Sequence, residues 1–217
     1  MIKIIRTLQP LFVLMTIGLF AVSRPAFASM TGSRHDFSRG WLSPSGEICI
    51  VCHTPHNAIG TIAPLWNHRT STAVYTVYSS STLNATVGQP SGSSKACLSC
   101  HDGTVAMDAY GGAPGNPGSV MIGYDMLQTD LSNDHPVSFT YDAALATADG
   151  GLYDPTVKAV PAFGGKTVDR AMLFDHKVEC ATCHDIHNDR GDAPTQGRNI
   201  LVVDNTNSAL CLTCHRR

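Results

Sequence analysis

Along most of this 217-residue chain apolar and polar positions follow neither a helical nor a strand period for long, and the exceptions are few. From Leu11 to Val22 nearly every side chain is apolar; Lys3 and Arg6 precede the run and Ala26-Phe27-Ala28 follows it. A basic start, a short apolar run and small residues beyond it make a secretory leader of residues 1–28. The mature chain, 29–217, is expected to begin near Ser29 and to be exported. The apolar run is shorter than the ~20 residues that span a bilayer, and no later stretch approaches that length.

Two patterned segments remain. Residues 73–78, Ala-Val-Tyr-Thr-Val-Tyr, have the branched and aromatic content of a short strand. Residues 96–101 read as a helix running on toward Met107, and short helices are expected at three further places taken up below. Gly111-Gly112-Ala113-Pro114-Gly115-Asn116-Pro117-Gly118 is dense in breakers and predicts loop, either a hinge or a surface excursion. Elsewhere Gly, Pro, Ser, Asn and Asp interrupt every periodicity. Such a chain makes a poor core from its side chains alone.

The cysteines change this picture. Eight of them in an exported chain would first be read as a disulfide framework. Their spacing points elsewhere: Cys49-x-x-Cys52-His53, Cys97-x-x-Cys100-His101, Cys180-x-x-Cys183-His184 and Cys211-x-x-Cys214-His215 use all eight and put a histidine after each pair. This is the attachment signature of c-type haem: two thiols one helical turn apart bond the vinyl groups, and the adjacent imidazole is held under the iron. Zinc ribbons also use C-x-x-C pairs, but four histidine-terminated matches with no cysteine left over favour four covalent haem c groups. Gaps of 43, 78 and 26 residues separate successive motifs, which divides them into a first haem pair, 49–101, a linker of about 102–179, and a second pair, 180–215.

His53, His101, His184 and His215 are the proximal iron ligands in this reading, and six histidines remain: His35, His56, His68, His135, His176 and His187. His56 and His187 each lie three residues after a proximal histidine, too near to reach the far face of the same porphyrin but able to reach a neighbouring one. His135 precedes Pro136, which restricts its backbone toward extended geometry. These three are expected as distal ligands. For the fourth, His35 comes first, His68 beside Trp66 second, and His176 last, as a surface or propionate contact. No methionine stands in an obvious ligand context.

Together with Pro64-Leu65-Trp66-Asn67-His68 and Asp134-His135-Pro136-Val137, these motifs resemble the doubled C-x-x-C-H multihaem cytochromes of metal-reducing bacteria. In haem count, size and the early Arg34-His35-Asp36 the chain looks most like the OmcE-type tetrahaem cytochromes of Geobacter relatives. The resemblance implies a multihaem cytochrome c fold, loop-rich with short helices and one short strand, wrapped around four stacked haems. It also implies subunits that polymerise head-to-tail into extracellular conductive filaments, one haem per subunit taking its distal histidine from its neighbour. The residues reach a compatible place. A haem at the extreme carboxyl terminus has no following chain to cover it, and His35 sits on an amino-terminal arm, so a non-closing contact could join them.

Irons with both axial positions filled by protein have no site for substrate, which favours an electron carrier over an enzyme. A reductase of nitrite or a similar oxyanion would need an open iron and a basic pocket, and only Arg216-Arg217 gathers positive charge near a motif. A monomeric periplasmic shuttle shares the carrier chemistry and differs in assembly. Without Lys3, Arg6 and Arg24 the mature chain keeps twelve basic against seventeen acidic residues, about −5 overall, which argues against a nucleic-acid partner. Other redox proteins or extracellular acceptors are the expected partners, at the cell surface or beyond it, with the periplasm as the alternative.

Overall fold

The computed structural model describes residues 30–60, 62, 64–187 and 200–216. The expected leader, 1–28, lies outside them. Regular structure is scarce: helix α1 (Gly92–His101) and helix α2 (Ala143–Asp149) are the only described helices longer than four residues. The remainder are single turns, α3 (Val168–Ala171), α4 (Cys180–Cys183) and α5 (Cys211–Cys214), three short 3-10 turns (Phe37–Arg39, Pro161–Phe163 and Thr206–Ser208), and four two-residue strands. Strand β1 (Phe139–Thr140) pairs antiparallel with β4 (Lys177–Val178), and β2 (Ala159–Val160) with β3 (Lys166–Thr167). No described helix is long and apolar enough to cross a membrane.

Residues 73–78 depart from the expected strand for a local reason. Ser71 and Tyr75 turn inward while Thr72, Val74 and Thr76 face solvent, the alternation of an extended chain. The partner that Tyr75 finds is a side chain: its N–H donates to Gln89 Oε1 at 2.8 Å, and Gln89 Nε2 donates back to its carbonyl at 2.9 Å. One amide thus occupies the edge that a second strand would use, and a lone parallel bridge from Thr76 to Asp130 is all that forms.

Helix α1 begins a turn earlier than expected and does not run on toward Met107. It stops because Asp102 turns its carboxylate onto the N–H and hydroxyl of Thr104, and Gly103 follows at φ +71°. Its start is fixed from the other end of the chain. Glu179, only 2% exposed, accepts from the Ser94 N–H at 3.2 Å and the Ser138 hydroxyl at 2.9 Å. Ser94 Oγ in turn accepts the Cys180 N–H at 2.9 Å. A carboxylate at a helix amino terminus meets unsatisfied N–H groups, so α1 and α4 cap one another. Gly92 is needed there, since a Cβ would stand 3.2 Å from Glu179 Oε1.

The main apolar cluster comes from the long interval between the second and third motifs and from what flanks it: Phe139, Tyr141, Ala146, Val160, Val168, Met172, Val178 and Val202. Burying a side chain such as Val168 or Val202 contributes about 1.5–3 kcal/mol, so the second half has a larger core than the composition suggests, while the first half has two small clusters, one of Ile62, Trp66 and Ala96 and one of Tyr75, Leu98 and Leu131. The breaker-rich stretch 111–118 is irregular and folds back on residues 106–108, where the Asn116 N–H donates to Asp108 and Gly115 leaves no room for a Cβ beside Ala106.

Candidate functional site

Each cysteine pair occupies one helical turn. The His53 N–H donates to the Cys49 carbonyl at 2.8 Å, His184 to Cys180 at 3.0 Å and His215 to Cys211 at 2.9 Å, while Cys97, Cys100 and His101 close α1. Residues three apart on a helix share a face, so both sulfurs can meet one flat ring with the histidine beside it. The sulfur atoms here are free thiols and stand for the thioether sulfurs of the loaded protein.

Three turns are held by one backbone clamp that no spacing reveals. At the first, His53 bridges Trp66, the Thr54 N–H donates to the Leu65 carbonyl at 3.0 Å, and Asn67 N–H donates to Cys52 at 2.9 Å. At the third, His184 bridges Leu201, Asp185 donates to Ile200 at 2.7 Å and Val202 to Cys183 at 2.9 Å. At the fourth, His215 bridges Leu152, Arg216 donates to Gly151 at 2.7 Å and Tyr153 to Cys214 at 2.8 Å. The terminal motif is therefore covered by earlier chain, residues 151–153. The second site differs: it sits in α1, and the Leu127 N–H closes onto the His101 carbonyl at 2.7 Å.

The imidazoles then fall into pairs. His53 and His187 have ring centres 6.0 Å apart at an interplanar angle of 24°, His35 and His101 6.1 Å at 43°, and His135 and His215 6.4 Å at 81°. Two metal–nitrogen bonds of ~2.0 Å on opposite sides of one ion, with ~1.1 Å from each nitrogen to its ring centre, give ~6.2 Å for an axial pair. Nδ1 of His53 faces the Pro64 carbonyl and Nδ1 of His101 that of Asp125, both at 2.8 Å. An N–H donated there leaves Nε2 with its lone pair free, the tautomer a metal ligand needs. Burial, then the neighbouring His101, push the pKa of His35 down to about 4, which keeps that ring neutral as well. His35 Nδ1 is buried with no partner.

These features fit haem. Each pair offers two imidazoles and leaves a ring's width between them beside two sulfurs. Among the described residues no three of His, Cys, Asp and Glu converge on one metal position, as a zinc site would require.

The sulfurs also define an order. Cys100 is pushed up to about 12 by burial and then by Cys52, which ties the second site to the first. Cys97 is raised by its hydrogen bond to the Cys180 sulfur and by burial, while Cys180 is lowered by accepting it, which ties the second to the third. Cys214 is pushed up to about 12 by burial and then by Cys183, tying the third to the fourth. Cys49 and Cys211, at the outer motifs, are exposed.

The other candidate histidines lie as follows. The His35 ring, offered above as the fourth distal ligand, lies 6.1 Å from that of His101 in the same chain, where the turn at residues 30–36 folds the arm back. His68, the alternative distal ligand, is 1% exposed with Nδ1 2.9 Å from the Arg69 carbonyl and Nε2 between the Ala106 carbonyl at 3.1 Å and Cys100 Sγ at 3.6 Å; burial favours its neutral ring, which donates to one of the carbonyls only. His176 lies on the surface, its Nδ1 2.6 Å from Asp169. His56 is exposed, and its backbone N–H and carbonyl both bond the Thr54 hydroxyl. Sequence reasoning missed Glu179; its one signal was Thr182 three residues on, a capping pair on the first turn of the third motif.

Residues 174–217, holding the third and fourth motifs, match the family model described as the doubled CXXCH motif. No curated protein matches the chain. The motifs indicate covalently bound haem c, and the match supports a place among multihaem c-type cytochromes, electron-transfer proteins of which some are enzymes.

Proposed function

We propose that this protein is an electron conduit: an exported tetrahaem cytochrome whose four haems are attached at Cys49 and Cys52, Cys97 and Cys100, Cys180 and Cys183, and Cys211 and Cys214. The observation that carries the reading is the three imidazole pairs at 6.0–6.4 Å. Haem bound between such pairs supplies one-electron transfer without an open coordination position. The chain's own part is to fix orientation. His53, His101 and His215 hold one side of three sites, His187, His35 and His135 the other, and the capped contact of α1 with α4 sets the approach of the second and third.

For assembly, the expected distal ligand that stays on the surface is His56, while His68 is buried against backbone carbonyls and His176 is held by Asp169. In this reading His56 is given to a second copy head-to-tail, and a contact of that kind which does not close extends into a filament, as the OmcE-type resemblance implies. The exposed Cys49 and Cys211 turns would be the ends that meet, outside the cell.

The test is intact mass with electron paramagnetic resonance on secreted material, followed by electron microscopy. Four haem units, all low-spin, in a regular thin filament are expected. Three haems or fewer would end the tetrahaem reading; low-spin monomers would leave a soluble shuttle; a high-spin iron that turns over nitrite would make it a reductase.

A further inference from the structure

We infer that the indole N–H of Trp66 donates to a propionate carboxylate of the haem attached at Cys49 and Cys52, so that this residue anchors the acidic rim of that haem. The inference rests on the haem reading above. Trp66 is 9% exposed and its Nε1 is buried with no hydrogen-bond partner in the chain. An indole N–H only donates, and a buried donor left unsatisfied is rare enough to require an acceptor.

The ring cannot swing to find one in solvent. Its backbone is clamped to His53, its ring stands edge-on to the His53 imidazole at 6.0 Å and 87°, and it packs with Ile62 and Ala96 beside Cys52. A second orphaned polar atom lies along the same seam: Ser93 Oγ, on α1 one turn before Ala96 and on the face that carries Cys97 and Cys100. Two buried polar groups beside the first two attachment turns therefore have no acceptor among the described residues. A porphyrin of the haem c type brings two carboxylates as its only strong acceptors, and the first of these haems is the one that His53, clamped to Trp66, would hold. A trapped water could satisfy the same N–H, and the experiment separates the two.

The chain has two tryptophans, and the other, Trp41, is 61% exposed. In the haem-loaded Trp41→Phe protein the ultraviolet resonance Raman spectrum reports Trp66 alone, and its N–H-sensitive band should lie at the hydrogen-bonded position. In loaded Trp66→Phe, which keeps an aromatic ring in the cluster, the propionate bending band of one haem should shift while intact mass still counts every haem. An unbonded indole band, or a bonded band with propionate modes unmoved by Trp66→Phe, overturns the inference in favour of an empty site or a water. Should Trp66→Phe fail to fold, Trp66→Leu and Trp66→Met take its place with the same propionate readout, and propionate modes unmoved in every variant that folds overturn the inference. Missing haem in the intact mass of the wild type would instead count against the tetrahaem reading itself.

Discussion

The chain around Cys49–Trp66 and the chain around Cys180–Leu201 are built alike and end differently. Both put two cysteines on one turn, clamp the following histidine to an apolar residue further along, and carry another histidine three residues on. His187 ends 6.0 Å from His53, across the seam from its own turn. His56, its counterpart, ends in solvent. Identical local chemistry therefore gives one histidine that closes a site within the subunit and one that points away from it. What separates them is what faces each ring: the His187 imidazole is stacked against that of His53 on the first turn, whereas the His56 side chain is exposed. In the assembly proposed above, the histidine three residues after the first turn is the one given to another molecule.

Replacing the two histidines separately tests this with the largest effects expected. His187→Ala should strip the first site of its second imidazole, and paramagnetic resonance should show one site's share of the iron turning high-spin with haem attachment intact. An unchanged low-spin spectrum would mean that the 6.0 Å pairing with His53 is not an axial pair. His56→Ala should leave the three in-chain pairs untouched and low-spin but give monomers in place of filaments by electron microscopy and light scattering. Filaments of normal length from that variant would remove His56 from the subunit contact.

The clamps invite a comparison of smaller size. At the first site the residue after the clamp is Asn67, 6% exposed, whose Nδ2 donates to the Ile50 carbonyl at 2.5 Å and whose Oδ1 accepts from the Gly111 N–H at 3.0 Å. At the third it is Val202, fully buried in the main apolar cluster. Asn67→Ala leaves two backbone groups without partners, and the loss should be ~2–3 kcal/mol. Val202→Ala removes two methyl groups from a packed core and should lose about 2 kcal/mol or less. Urea unfolding of the two variants ranks them, and a larger loss for Val202→Ala would mean that packing rather than polar bonding dominates the clamps.

How much of this was legible beforehand depended on whether the governing contact was local. The four attachment turns and the proximal histidines stand in five-residue motifs, so periodicity and chemistry coincide there. Pairing did not show in the same way. His187 opposite His53 and His135 opposite His215 are contacts across 134 and 80 positions, and only the histidine surplus and Pro136 hinted at them. The clamp escaped because its second arm lies after the first and third motifs but before the fourth, with no common offset. The strand expected at 73–78 shows the converse: the residues have the pattern of a strand, but whether a strand or Gln89 takes its edge is decided fourteen positions away. Glu179 was invisible because its role as the cap of α1 needs Ser94, which is 85 positions earlier.

The smallest expected effect concerns the approaches to the two turns. Residues leading to Cys49 are tied by the Ser43 hydroxyl donating to the Glu47 carbonyl at 2.8 Å, a bond between groups that do not titrate near neutrality. The approach to Cys180 runs through a tight turn in which Asp175 and His176 both have positive φ, 52° and 60°, before β4. There the hydrogen bond from His176 to Asp169, and then the charge of Asp169, raise the His176 pKa above its ordinary value. A histidine whose pKa is raised on folding stabilises the fold fully below its unfolded pKa of ~6.5 and loses that contribution as pH rises through the folded value. Because His176 is exposed, solvent screening keeps the effect small. The Tyr141 N–H, which donates to the His176 carbonyl at 2.9 Å, is the local reporter. Its hydrogen exchange should be slower in the wild type than in Asp169→Asn below pH about 6, and the ratio should approach one as the pH passes the folded pKa. A ratio that stays constant across that range would show that the turn is held by its backbone alone, and the two approaches would then differ in geometry but not in their response to pH.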